Sequence, residues 1–204
     1  MRLMARPSRP FPLDARTRHL CIDMQRLFAA DTPWHVPWLP QVLPAVEEIA
    51  GRHAARTIFT RFLPAASPQA ADGAWRDYYA AWPGLTREAL DPELLELVPS
   101  LARLVPPARV LDKTVNSAFS RAGFASALKR QGVTTLVVSG GETDVCVLAT
   151  VMAAIDQGFR VVLPTDALCS TLDGTHDALL KLYRERFTYQ VEATTTADVI
   201  NRWR

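Results

Sequence analysis

Short apolar runs alternate with longer segments of helical periodicity along most of this chain. The runs predict strands near 19–24, 56–61, 109–113, 134–139, 160–164 and 187–191, and the longer segments predict helices at about 40–53, 120–131, 144–157 and 174–185. In the third helix, Val147, Val151 and Ile155 keep the spacing of a helix that packs one face on a sheet. The alternation is typical of a doubly wound α/β fold in three layers, with six parallel strands between two layers of helices.

The segment 62–108 interrupts this alternation and contains seven prolines. Within it, Trp75, Tyr78, Tyr79 and Trp82 have the i, i+3, i+4, i+7 spacing that places four rings on one face of a short helix. Such a stripe favours core or subunit packing over a ligand-binding wall. We interpret 62–108 as an insertion or lid within a single domain that spans 19–204.

Composition and charge narrow the class of protein. With 204 residues, of which 49% are hydrophobic, the chain is long enough to bury one sizeable core. The net charge of +2 does not create the broad positive field of a nucleic-acid-binding protein, so no nucleic-acid partner is expected. Residues 1–18 are arginine-rich without a continuous apolar stretch, which predicts a solvated arm and neither a secretory signal nor a membrane anchor.

The cysteines are three in number and widely spaced, an arrangement that indicates a reducing compartment and predicts a cytoplasmic protein. Cys21, inside a predicted strand, is interpreted as a buried structural residue, and Cys169 is expected to be unreactive as well. Cys146 differs because it lies where a predicted strand meets a predicted helix.

Three polar side chains follow predicted strands, in the stretches "CIDMQ", "LDKTVNSAF" and "VVSGGETDVC". Because the carboxyl ends of parallel strands share one edge of a sheet, Asp23, Lys113 and Cys146 are expected to meet there. A thiol becomes a strong nucleophile when it loses its proton, and a nearby carboxylate can accept that proton. If Thr143 or Asp144 caps the following helix, the helix dipole and the Lys113 ammonium would favour the thiolate.

Each of these residues also has a structural interpretation. A free cysteine is often a small buried hydrophobe, and Asp23 and Lys113 could be an ion-paired acid and a solvated charge. The coincidence of all three at one sheet edge is what favours a catalytic site.

Three blocks, "CIDMQRLF", "DKTVNSAF" and "GGETDVCVLATVMAAIDQGFRVVLPTDAL", resemble signature blocks of the isochorismatase-like cysteine hydrolases. That superfamily includes nicotinamidases, N-carbamoylsarcosine amidases, and ureidoacrylate and biuret hydrolases. The resemblance runs from about residue 17 to "VEATTTADVI" and is weak over the insertion. It implies Asp23 as base, Lys113 as cationic partner and Cys146 as nucleophile. It also implies a cis peptide at Gly141–Glu142, an oxyanion hole made by the N–H groups of Glu142 and Cys146, and assembly into a dimer or tetramer.

The chain departs from the nicotinamidases of this superfamily after the second strand. Those proteins hold a metal there with an Asp-x-His motif and a further histidine, whereas this chain reads "TRFLPAASPQAADGAW", without a histidine. The histidines elsewhere are dispersed and lack a ligand spacing. No metal and no other cofactor is therefore predicted.

The expected reaction is hydrolysis of a C–N bond in a small linear amide, carbamoyl or ureido substrate through a thioester. Two alternatives stay open: an enol-ether hydrolase of the isochorismate-cleaving type, which would not need Cys146, and a non-catalytic ligand-binding protein on the same fold. The candidate substrate-binding residues are Arg61, Asn116, Phe28, Trp34, Phe119 and Trp75. A structural salt bridge is an equally good interpretation of Arg61.

Overall fold

Strands and helices alternate as the apolar pattern predicts in the computed structural model, which describes residues 10–204. The strands are β1 (Thr17–Ile22), β2 (Thr57–Phe62), β3 (Arg109–Lys113), β4 (Thr135–Gly141), β5 (Arg160–Pro164), β6 (Leu168–Cys169) and β7 (Val191–Thr194). The helices are α1 (Arg26–Ala29), α2 (Leu39–Arg52), α3 (Ala74–Ala81), α4 (Pro99–Ala102), α5 (Phe124–Arg130), α6 (Leu148–Asp156), α7 (Asp173–Arg186) and α8 (Thr196–Arg202).

The strands pair in the order β3-β2-β1-β4-β5-β7, and every pair is parallel. The two-residue β6 pairs with the end of β4 through Gly140 and Gly141. The predicted six-stranded parallel sheet is confirmed, with β6 as an additional short strand that is too short to give an apolar pattern. The chain order reverses between β1 and β4, and such a reversal leaves a crevice beyond the strand ends.

Alternate side chains of the central strands point to opposite faces of the sheet, which divides the core in two. Cys21 of β1 and Val137 of β4 pack in the cluster that includes buried residues of α2 and α8. Their neighbours Leu20 and Leu136 pack in the second cluster, with α5, α6 and α7. Both faces of the sheet are therefore covered by helices, as the three-layer prediction requires.

Some predicted boundaries are wrong. The strand predicted at 187–191 is β7 at Val191–Thr194, because α7 continues to Arg186 and the chain turns before β7 pairs with β5. Tyr189, in that turn, is 55% exposed. The helix predicted at 144–157 begins with a π-helical turn, Thr143–Val147, before α6. The helix predicted at 120–131 is reduced to α5, which follows a 3-10 turn at Ala118–Ser120.

Part of the predicted N-terminal arm belongs to the folded body. Residues 1–9 lie outside the described residues, but Phe11 and Leu13 are buried in the core and β1 begins at Thr17. The backbone N–H of Phe11 donates to Glu192 at 2.7 Å. The prediction of a solvated arm is therefore wrong for the buried residues Phe11, Leu13 and Thr17, whereas Pro12, Ala15 and Arg16 are exposed. Within the described residues, no helix is long and apolar enough to cross a membrane.

The predicted aromatic helix of the insertion is α3, but its four rings have different environments. Tyr79 is buried with Phe62, and Trp75 packs against that cluster. Tyr78 is partly exposed, and Trp82, which follows the last residue of the helix, is 42% exposed. The stripe is therefore neither wholly core nor wholly surface.

Candidate active site

Asp23, Lys113 and Cys146 meet at the carboxyl edge of the sheet. Asp23 is the first residue after β1, Lys113 is the last residue of β3, and Cys146 lies in the π-helical turn after β4. Lys113 Nζ is 2.6 Å from Asp23 Oδ2 and 3.4 Å from Cys146 Sγ. One ammonium thus contacts both the carboxylate and the sulfur.

Lys113 reaches this position because its long side chain crosses the end of β2. β3 lies two strands from β1, about 10 Å at ordinary strand spacing. The side chain is fully buried, with Nζ 5.1 Å from the centre of the Phe62 ring and a hydrogen bond to the Val115 carbonyl oxygen at 3.2 Å. Burial lowers the pKa of Lys113, but Asp23 and Cys146 raise it more, so the pKa lies above its ordinary value and the group stays charged.

Asp23 is held by the hydroxyl of Thr60, in β2. The Thr60 hydroxyl accepts from the Asp23 N–H at 3.0 Å and donates to Asp23 Oδ1 at 2.5 Å. The Asp23 backbone has φ of +50°, a left-handed conformation that Asp tolerates better than most residues. Apart from its ion pair with Lys113, Oδ2 has no hydrogen-bond partner among the described residues, which leaves it free to accept a proton.

The Cys146 sulfur is buried but lies at the bottom of a pocket, with 8% of the residue exposed. Burial raises its pKa, the Asp23 charge raises it further, and Lys113 opposes both to a smaller extent. Burial and the Asp23 charge thus oppose the thiolate that is expected in the resting site. A thiol with a raised pKa needs a base to remove its proton during the attack.

The expected capping by Thr143 or Asp144 is also absent. The Thr143 hydroxyl instead donates to the Cys169 carbonyl oxygen at 3.1 Å and lies 2.9 Å from His176 Nδ1. Asp144 accepts from Ser170 at 2.5 Å. These contacts tie the turn that carries Cys146 to β6, to α7 and to the segment between them.

The approach to this turn requires a glycine. Gly140 has φ of +99°, and a Cβ there would lie 2.2 Å from the Ile22 carbonyl oxygen. The backbones of β4 and β1 thus come together directly beside Asp23. One residue further along the chain, the Gly141–Glu142 peptide bond is cis.

A pocket of about 390 Å³ opens above the sulfur. Five aromatic rings form much of its wall: Phe28, Trp34, Phe62, Trp75 and Tyr78. The other lining residues are Ala74, Asn116, Gly141, Glu142, Val145 and Cys146. The volume suits a small organic molecule.

Among the predicted substrate-binding residues, Phe28, Trp34, Trp75 and Asn116 line this pocket. Asn116 Oδ1 is 4.0 Å from the Cys146 sulfur. The predicted oxyanion-hole residues Glu142 and Cys146 also line it. The Glu142 carboxylate accepts from the Thr171 N–H at 2.8 Å.

Arg61 and Phe119 are not in the pocket lining. Arg61 makes a two-bond ion pair with Asp112, at 2.8 and 3.0 Å, and contacts Glu96 at 2.6 Å, so the structural interpretation of this residue applies. Phe119 packs against Phe124 and Phe159, with ring centres 5.2 and 5.7 Å apart. The turn after β3 directs its ring into the core.

Sequence reasoning missed two buried polar residues that support the site, Thr60 and Gln25. The Gln25 amide bonds to the Phe62 N–H and carbonyl oxygen and to the Leu95 carbonyl oxygen, at 2.7, 3.1 and 2.8 Å. It therefore joins the end of β1 to β2 and to the insertion. A glutamine three residues after the end of a buried strand is a signal that could have identified it.

The positions that would hold a metal in nicotinamidases do not fit one here. β2 is followed by Leu63, Pro64 and Ala65, which offer no metal-binding side chain. Within residues 10–204, no group of three or more histidine, cysteine or carboxylate side chains is arranged to hold an ion. The side chains after β2 therefore do not form the metal site of those relatives.

The other two cysteines lie within the core. Cys21 and Cys169 are free and almost fully buried. Burial raises the pKa of both thiols, to about 12 for Cys169. Neither lines the pocket.

In a comparison with known proteins, a family profile described as "Isochorismatase domain" matches residues 17–198 of this chain. Nicotinamidase 3 of Arabidopsis thaliana is 28% identical over 174 residues, covering 85% of this chain and 83% of that protein. Maleamate amidohydrolase of Pseudomonas putida is 30% identical over 174 residues, covering 79% and 76%. A crystal structure of a cysteine hydrolase from Pseudomonas syringae superposes with a TM-score of 0.81 at 24% identity, covering 98% of both chains, a likeness in fold.

Proposed function

The chain belongs to the isochorismatase family, and from that premise we propose that it is a cysteine hydrolase of small amide, carbamoyl or ureido compounds. Cys146 is the nucleophile, Asp23 the general base and acid, and Lys113 the cation that holds both. The observation that carries the proposal is the single ammonium placed 2.6 Å from the carboxylate and 3.4 Å from the sulfur.

The first half-reaction forms a thioester. As Cys146 Sγ attacks the substrate carbonyl carbon, its proton passes to Asp23 Oδ2, and the N–H groups of Glu142 and Cys146 stabilise the oxyanion. The tetrahedral intermediate then breaks its C–N bond, and Asp23 gives the proton to the leaving nitrogen. Ammonia or an amine departs, and the acyl group remains on sulfur.

The second half-reaction restores the enzyme. Asp23 takes a proton from a water molecule, whose oxygen adds to the thioester carbonyl carbon. The new intermediate breaks its C–S bond, and the departing sulfur recovers a proton from Asp23. Lys113 keeps its charge throughout and lowers the energy of each state in which sulfur or oxygen is negative.

Two of the relatives are named for amide substrates, nicotinamide and maleamate, which supports carbonyl chemistry at a C–N bond. Because burial and the Asp23 charge raise the pKa of Cys146, its thiol needs a base during the attack, and we assign that role to Asp23.

The test is an ammonia-release assay over a panel of amides, carbamoyl amino acids and ureido compounds, with Cys146→Ser and Cys146→Ala as variants. We expect turnover to fall at least about 1,000-fold in both variants. Mass spectrometry after rapid quenching should detect an acyl adduct on the peptide that contains Cys146.

Turnover that survives in Cys146→Ala would contradict the proposal and favour enol-ether hydrolysis. Binding of panel compounds without any turnover or adduct would favour a ligand-binding protein.

A further inference from the structure

The pocket above Cys146 has no basic side chain in its wall. Among the described residues that line it, none is arginine, lysine or histidine. An enzyme that accepts a substrate carboxylate ordinarily supplies a cation or several convergent donors for it. The lack of basic side chains is specific to the pocket wall, since the chain as a whole has 23 lysines and arginines.

The two basic residues at neighbouring strand ends are already engaged. Arg61 is neutralised by Asp112 and Glu96, at 2.8 and 2.6 Å. Lys113 is fully buried beneath the pocket and is paired with Asp23. Neither the Lys113 ammonium nor the Arg61 guanidinium is therefore available to bind the carboxylate of a substrate.

The carboxylates near the pocket are engaged as well. Glu142 lines the wall, but its carboxylate accepts from the Thr171 N–H at 2.8 Å, and Asp23 is paired with Lys113 at 2.6 Å. The neutral polar side chains are the Asn116 amide, the indoles of Trp34 and Trp75, and the Tyr78 phenol, whose pKa is raised by burial. A substrate carboxylate would therefore enter an aromatic pocket whose wall supplies no cationic side chain as its counter-ion.

Building on the proposed hydrolase function, we propose that the substrate is an uncharged amide with an apolar acyl group, and that amides bearing a carboxylate are excluded. The aromatic wall contacts the apolar acyl part, while Asn116 and the backbone at Glu142 and Cys146 contact the amide. This substrate class differs from that of the maleamate-named relative, whose substrate carries a carboxylate.

The experiment uses probe pairs that differ in charge: 3-nitrobenzamide with 3-carbamoylbenzoate, whose nitro and carboxylate groups match in shape, and cis-but-2-enamide with maleamate. We expect kcat/KM for the neutral member of each pair to be at least about 100-fold higher. Equilibrium binding of the same pairs to Cys146→Ser, measured by calorimetry, should give the same order of preference.

A charge introduced at the rim should alter this preference. Ala74 is an exposed lining residue in the first turn of α3, so Ala74→Arg can present a cation to the pocket, with Ala74→Gln as a neutral control of similar length. We expect Ala74→Arg to reduce the preference for the neutral member about 10-fold relative to Ala74→Gln. Arg61→Gln should leave the preference unchanged.

The two proposals fail in different ways. Equal or better turnover of the anionic members, through a Cys146 adduct, would overturn charge exclusion and leave the hydrolase intact. Absence of any adduct would overturn the hydrolase, and the binding preference of Cys146→Ser would still decide charge exclusion.

Discussion

The hydroxyl of Thr60 makes two hydrogen bonds to one residue, accepting from the Asp23 N–H at 3.0 Å and donating to Asp23 Oδ1 at 2.5 Å. With Oδ1 occupied, the carboxylate presents Oδ2 to Lys113, whose ammonium also contacts the Cys146 sulfur. Thr60 is fully buried and does not line the pocket, so it acts through Asp23 and is a positioning residue.

Replacing Thr60 with valine keeps the shape of the side chain and removes both hydrogen bonds. We expect kcat to fall about 10- to 100-fold with little change in KM, because the base is misoriented while the pocket is intact. Thr60→Ser should recover most of the loss. Steady-state kinetics on a hydrolysed amide measures the split, and equal losses in the serine and valine variants would contradict the positioning role.

The raised pKa of Cys146 gives a prediction for Asp23→Asn. Burial is the largest cause of the raised value, but the Asp23 charge is the next, and Lys113 acts in the opposite direction. Removing the carboxylate charge should therefore lower the thiol pKa and accelerate alkylation of Cys146 at neutral pH, about 10-fold for every pH unit by which that pKa falls. Hydrolysis should nevertheless fall at least about 1,000-fold, since no base remains.

Iodoacetamide labelling, followed at the Cys146 peptide by mass spectrometry, measures the alkylation rate between about pH 6 and 10. In the unsubstituted protein the rate should continue to rise above pH 9, the ordinary value of a thiol, because the folded-state pKa is higher. Slower labelling of Asp23→Asn would show that the carboxylate assists ionisation of the sulfur even without substrate.

Gly140 and Gly158 form a matched pair for testing the approach of β4 to β1. Both have positive φ, +99° and +86°, but a Cβ at Gly140 would clash with Ile22 while one at Gly158 meets nothing within 4 Å. Gly158→Ala should cost about 1 kcal/mol of unfolding free energy. Gly140→Ala should cost at least about 2 kcal/mol more, because the clash is with backbone. Urea unfolding measures both, and equal losses would contradict the close approach.

The surroundings of the buried His19 lead to a prediction of how the free energy of unfolding depends on pH. Its Nδ1 is 3.2 Å from the Thr57 hydroxyl, which itself donates to the His53 carbonyl oxygen, and its Nε2 is 2.7 Å from the Ser139 hydroxyl. Thr57 must then accept from an Nδ1–H, and in a neutral imidazole Nε2 accepts from Ser139. The network satisfies both nitrogens of a neutral imidazole, and burial lowers its pKa to about 3.

The unfolded chain binds a proton at this histidine below about pH 6.5, whereas the folded chain does not until about pH 3. The unfolded state therefore holds more protons in that interval, and the free energy of unfolding falls as the pH is lowered. His19→Gln should make this decline shallower by about 1.4 kcal/mol per pH unit. Urea unfolding between about pH 6 and 4 measures the two slopes, and parallel slopes would contradict a neutral buried His19.

The order of elements and the meeting of the three polar residues were predictable from sequence. Strands and helices have different apolar periodicities, which predicts the order of elements. A polar residue or a glycine-rich turn ends or directly follows strands β1, β3 and β4, and the parallel arrangement brings Asp23, Lys113 and Cys146 to one edge. Residue boundaries were less accurate where a short element lacks a pattern, as in β6 and the start of β7.

Tertiary structure alone decided how those residues behave. The protonation of Cys146 depends on burial and on two charges from distant strands, the pairing of Arg61 depends on Asp112 of the adjacent strand, and the ring of Phe119 is directed by the turn after β3. These are contacts between residues far apart in the chain, and a one-dimensional pattern encodes which face a side chain occupies but not which partner it meets there.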